Sequence, residues 1–109
     1  MIIARRAVAL MGILLMIDTH CNAAGDGEKG KQLYQKCVAC HGNDGYGKKS
    51  QNAPMIAGQF DWYLVAQITK IKNQERKNSN ANKMYPFVKN LTEEEIKDLA
   101  AYIQSLTKI

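Results

Sequence analysis

The chain has 109 residues, with 15 Lys and Arg against 10 Asp and Glu, a formal net charge of +5, three cysteines and two histidines. That length provides one domain, and a single close cysteine pair excludes a disulfide-dense scaffold, because bridging near neighbours closes a loop too small to constrain the chain. Basic charge can signal nucleic acid, but aromatic and basic residues do not alternate here, so no nucleic-acid partner is expected.

Residues 1–23 read as a cleavable signal peptide. "MIIARR" supplies positive charge through Arg5 and Arg6, "AVALMGILLMI" is an eleven-residue apolar run, and small residues follow at Ala23-Ala24. The run is shorter than the roughly 20 residues that span a bilayer. Cleavage after Ala23 is expected, with Ala24 as the neighbouring option; an uncleaved anchor and a lipoprotein through Cys21 are the competing readings. Removal leaves residues 24–109 as the folded domain, placed in the periplasm with no membrane span. Losing Arg5, Arg6 and Asp18 lowers the net charge by one, to +4. The remaining domain keeps Cys37, Cys40, His41, Met55 and Met84. So small a domain buries little core and needs a staple other than a disulfide.

Three helices are predicted in chain order, with no strand alternation and no internal repeats. The first spans about 27–40, with Asp26 as N-cap and Leu33, Tyr34, Cys37 and Val38 at helical spacing. The second spans about 60–72, with Phe60, Leu64, Ile68 and Ile71 as its apolar stripe and Asp61 in its first turn. The third follows the capping box of Thr92 and Glu95, with Ile96, Leu99, Ala100, Ile103 and Leu106 on one face up to about residue 108. Glu93 to Glu95 are read as capping and dipole compensation. Two long polar loops lie between the helices, and long ordered loops are usually functional.

Gln35 to Gly45 reads "QKCVACHGNDG". C-x-x-C-H is the attachment signature of a c-type haem. Cys37 and Cys40 can each form a thioether with a haem vinyl group, and His41 can offer its imidazole to the iron. The macrocycle would then be the missing staple. Structural zinc needs four ligands, often from two clusters, and no second cluster is present. A thioredoxin-like pair would need a βαβ setting, which the pattern lacks. For the sixth iron position His20 is expected to leave with the signal peptide, so Met55, Met84 or an open site remain. Met84 is favoured, lying in the loop before the last helix, far enough along the chain to reach the opposite haem face; its plain alternative is a core methionine.

With "CVACH", the stretches "GDGEKGKQLYQKC", "APMIAGQFDWYLVAQI" and "MYPFVKNLTEEEIKDLAAYIQSL" make residues 26–109 resemble the class I c-type cytochromes, especially small monohaem periplasmic members and single halves of two-haem relatives. The resemblance implies an all-α fold, three main helices and two long loops wrapped around one covalent haem c. It implies thioethers at Cys37 and Cys40, His41 as proximal and Met84 as distal ligand, and a Pro54 carbonyl that accepts the imidazole N–H, fixing its tautomer. It also implies that Gly30 and Tyr34 cross Leu99 and Tyr102. The family often carries glycine near "NQER"; here Asn73 is expected to take the left-handed position at the helix end.

The function expected is that of a soluble, monomeric, exported carrier of single electrons, not an enzyme. Its redox-protein partners would dock on basic haem-edge loops bearing Lys48, Lys49, Lys83 and Lys89. A haem subunit of a larger dehydrogenase or reductase is the alternative, followed by a peroxidase-like or gas-binding protein with an open iron. Trp62 is read as a packing residue near the haem edge or surface.

Overall fold

The computed structural model describes residues 12, 25–78 and 80–107. The predicted leader otherwise lies outside the described residues. Among the described residues five α-helices run in order: α1 Gly27–Leu33, α2 Val38–His41, α3 Asp61–Lys72, α4 Tyr85–Val88 and α5 Glu93–Ser105, with 3-10 turns at Tyr34–Lys36, Lys49–Gln51 and Ala81–Met84. Extended pairing among the described residues is limited to an isolated Lys48–Ala53 bridge. The fold is all-α, as expected.

The core sits where α1 and α3 pack on α5. Burial of Ile96, Leu99, Ala100 and Ile103 follows the helical repeat of α5, and Leu64, Ile68 and Ile71 do the same on α3. Tyr34 closes the cluster at 1% exposure. At the α1–α5 crossing, a Cβ on Gly30 would collide with the Asp98 carbonyl, so only glycine lets these backbones meet. The Tyr34 and Tyr102 rings lie beside that contact, 5.3 Å apart. The crossing therefore falls on the residues the resemblance indicated.

The ends of the helices are fixed by side chains. The Asp26 carboxylate accepts from Glu28 N at 2.9 Å and Lys29 N at 3.3 Å, while Asp26 N donates to the buried Asp98 carboxylate at 2.7 Å. Thr92 and Glu95 form the predicted capping box, through Glu95 N to Thr92 Oγ1 at 3.1 Å and Thr92 N to Glu95 Oε1 at 3.0 Å. Hydrogen bonding to the Thr92 backbone and side chain, with lesser help from Lys36 and Lys72, holds the Glu95 carboxyl below its ordinary range against the opposing effect of desolvation.

Several boundaries differ from the sequence reading. The first helix is split, because a 3-10 turn at Tyr34–Lys36 overwinds the chain before α2. Phe60 is the residue before α3 and is 58% exposed, so it leaves the apolar stripe. Trp62 is likewise a surface residue, stacked on Phe60 at 5.8 Å. At the end of α3 the left-handed residue is Gln74, at φ 59°, while Asn73 keeps φ −83°. Glu75 N bonds Lys70 O at 2.8 Å and Gln74 N bonds Ile71 O at 3.1 Å, the paired bonds of a Schellman end. The short helix α4 was not foreseen, since four residues are too few to show a period.

Candidate functional site

Cys37 joins the 3-10 turn to α2, and Cys40 and His41 lie within α2, so the whole C-x-x-C-H motif occupies about one helical turn. Both cysteines are free and half-buried. Burial, then the neighbouring Cys40, pushes the Cys37 thiol up to about 11, so it stays protonated at neutral pH. Among the described residues no three His, Cys, Asp or Glu side chains are grouped to hold a metal ion. The two thiols and the imidazole thus do not assemble a zinc-type cluster.

His41 is 5% exposed and held from two sides. Its main-chain carbonyl accepts Gly47 N at 2.8 Å. Its ring Nδ1 lies 2.9 Å from the Pro54 carbonyl oxygen. With Nδ1–H donating to that oxygen, Nε2 remains with its lone pair available to a metal. The turn that makes this contact is a small hairpin. Lys48 N bonds Ala53 O at 3.0 Å and Ala53 N bonds Lys48 O at 3.2 Å, returning the chain so that Pro54 faces His41. Ile56 N and Ala57 N then bond Gly45 O at 2.8 and 3.0 Å. Gly47 is required by both shape and space: its φ is +82°, and a Cβ there would lie 2.7 Å from the Pro54 carbonyl carbon. Tyr34 adds a further brace, its hydroxyl donating to Gly42 O at 2.6 Å just past the motif. Burial, followed by smaller effects of Cys37, Tyr102 and Asp44, pushes that phenol up to about 12.

The two methionines differ in setting. Met84, at the end of the Ala81–Met84 turn, is half-buried against the same core cluster that Cys37 and Val38 touch. Met55 follows Pro54 and is 56% exposed. Beside Cys37 opens a cavity of about 130 Å³, lined by Leu33, Lys36, Phe87, Leu91, Glu95 and Leu99 among others. Lys48, Lys49, Lys83 and Lys89 are all exposed; Lys48 also donates to Ala39 O at 3.2 Å, while Lys83 and Lys89 bracket α4 and its exposed Phe87. Sequence reasoning passed over Gly47, Lys36 and Lys72. Only the glycine carried a usable signal, since it sits in a turn-rich loop with no other role.

The donor set fits a covalent haem: two free thiols three residues apart, an imidazole whose Nδ1 is already committed, and a thioether packed against the core.

A helical core on which such a motif is presented by a tight turn defines a haem protein of the c type. The chain belongs to the cytochrome c family, whose model matches residues 27–107. It is 40% identical over 82 residues to cytochrome c-554(548) of Halomonas halodenitrificans, covering 75% of this chain and 98% of that one. It is 37% identical over 98 residues to cytochrome c4 of Pseudomonas aeruginosa, covering 88% of this chain and 47% of that one. The solved structure of Acidithiobacillus ferrooxidans cytochrome c4 aligns with a TM-score of 0.63 and 34% identity, over 73% of this chain and 49% of that one. The chain thus spans nearly all of the first relative and about half of the cytochromes c4, as a single half of a two-haem protein would. Family membership brings covalently attached haem c and electron transfer, in a family of carriers that are mostly not enzymes. Among the described residues no helix is long and apolar enough to cross a membrane.

Proposed function

We propose that the chain is an exported monohaem cytochrome that carries single electrons between redox proteins, its haem held by Cys37 and Cys40 and its iron by His41 and Met84. The observation that carries the reading is the 2.9 Å contact between His41 Nδ1 and the Pro54 carbonyl. It commits one ring nitrogen and leaves the other available as a ligand, one residue from a free thiol. The haem supplies an iron that alternates between ferric and ferrous states. The chain's residues do the rest. Cys37 and Cys40 would tether the macrocycle through thioethers, each thiol adding its S–H across one vinyl double bond. His41 donates Nε2, and the Pro54 carbonyl fixes the tautomer and makes the ring a better donor. Met84 supplies a neutral, polarizable sulfur from a half-buried position, and a Met/His pair favours electron transfer over ligand binding. Residues 1–23 would direct export and be removed.

Redox encounters must be brief, so weak contact with fast arrival suits the task. Lys83 and Lys89, on either side of α4, together with Lys48 and Lys49 on the hairpin, would steer an acidic partner face. The test is intact-mass measurement of the purified protein, followed by oxidation of its haem by candidate envelope oxidases as ionic strength rises. One haem added, residues 1–23 lost and a rate that falls steeply with salt support the reading, and Lys83→Glu with Lys89→Glu should blunt that fall. A haem-free mass rejects it. A salt-independent rate, with stable co-purification of a dehydrogenase, would instead assign the chain to a permanent complex.

A further inference from the structure

We infer that Lys72 is a positioning residue for Met84, its ammonium group fastening the stretch 81–91 to helix α3. This rests on the reading of Met84 as an iron ligand. Lys72 is the last residue of α3, half-buried, and its Nζ donates to the Leu91 carbonyl at 2.5 Å across nineteen residues of sequence. Leu91 closes the stretch that carries Met84 and α4. On its far side the stretch joins the Thr92–Glu95 capping box, which anchors α5 and not Met84.

Ala81 and Val88 sit in the core, and Met84, Tyr85 and Leu91 pack partly buried against it, whereas Pro86 and Phe87 are exposed and border the cavity beside Cys37. A segment flanked by a cavity has few dispersion contacts on that side, so a polar fastening there has more to hold. The bond itself suits the task. A cation donating to a carbonyl in a half-buried place makes a charge-assisted hydrogen bond, stronger than a neutral pair. Glu95 lies on the cavity wall with Lys36 and Leu91. A four-carbon stem is long enough to carry the charge from the end of α3 to Leu91. Chain position adds a further point: the residue that ends α3 also ties down the far end of the segment leaving it. Breaking the tie removes the fastening of Leu91 to the end of α3 and leaves the packing of Val88, Tyr85 and Leu91 to hold α4, and Met84 is the residue directly before α4.

The experiment measures how fast imidazole displaces the sulfur ligand in the ferric holoprotein, because entry waits on Met84 leaving. Lys72→Met keeps the stem and removes charge and donor; Lys72→Gln is the second removal, and Lys72→Arg keeps a charged donor. Ile103→Val, in the core far along α5, serves as a variant of lowered global stability. The inference expects imidazole to bind about tenfold faster or more in Lys72→Met and Lys72→Gln, near the wild-type rate in Lys72→Arg, and unchanged in Ile103→Val. An unchanged rate in Lys72→Met overturns it. So does an equal acceleration in Ile103→Val, which would reduce Lys72 to general stability. A wild-type ferric protein without the iron–sulfur absorption band would overturn the Met84 reading and this inference with it. An intact band with unresponsive Lys72 variants would overturn this inference alone.

Discussion

The Pro54 carbonyl oxygen stands 2.9 Å from Nδ1 of His41, thirteen residues earlier in the chain. Backbone, not side chain, makes the contact, so substitution of Pro54 itself is a poor probe. Gly47 is a better one, because the carbonyl carbon of Pro54 would lie 2.7 Å from a Cβ placed there. Gly47→Ala is expected to push the carbonyl away and weaken the bond to the imidazole. His41 then becomes a poorer donor to ferric iron, and the reduction potential rises. Stability should also fall, by about 1–3 kcal/mol, from the strained φ and the collision. Redox titration beside urea unfolding checks both. A lowered stability with an unmoved potential would confine Gly47 to folding.

Gln74 occupies a left-handed position, at φ 59°, that glycine adopts without cost. Gln74→Gly is expected to raise stability by roughly 0.5–1 kcal/mol. The urea midpoint should rise with the slope unchanged. A fall would mean that the loss of backbone freedom on folding outweighs the relieved strain.

Tyr34 links acid–base behaviour to the fold. Its phenol is pushed up to about 12, chiefly by burial, against an ordinary value of 10.0. The folded protein therefore holds this proton more tightly than the unfolded chain does. The resulting stability is fully present below about pH 10 and is lost as pH rises toward 12. Thermal unfolding midpoints should drop across that window, and Tyr34→Phe should flatten the drop. The same variant leaves the buried Gly42 carbonyl without its 2.6 Å donor, at a cost of about 1–3 kcal/mol at neutral pH. An identical drop in wild type and Tyr34→Phe would assign the alkaline loss to other groups.

Much of this arrangement was legible in the residues. The capping box at Thr92 and Glu95, the α5 stripe and the Gly30–Tyr34 crossing each depend on local chemistry or a regular period. The split of the first helix was not legible, because Tyr34 bonds to Gly42 across a boundary that periodicity cannot see. Phe60 looked like part of a stripe, yet helix α3 starts one residue later, so its ring faces solvent. Asn73 was the natural choice for a left-handed end, but the end bonds count from Lys70 and place the turn on Gln74. At the site, "CVACH" announced its chemistry by spacing alone. Lys72 carried no such mark, because a lysine at the end of a helix is ordinary until its carbonyl partner, nineteen residues on, is known.

The proposed ligation of iron by His41 and Met84 is measured most directly by the ferric absorption spectrum near the far-red iron–sulfur band. Wild type is expected to show the band, Met55→Ala to keep it, and Met84→Ala to lose it and bind small ligands such as imidazole or azide at once. The settings of the two methionines motivate this, since Met84 packs on the core while Met55 is 56% exposed. A band that survives Met84→Ala and vanishes in Met55→Ala would contradict the ligand assignment. A wild-type protein without the band would contradict the closed electron-carrier site altogether.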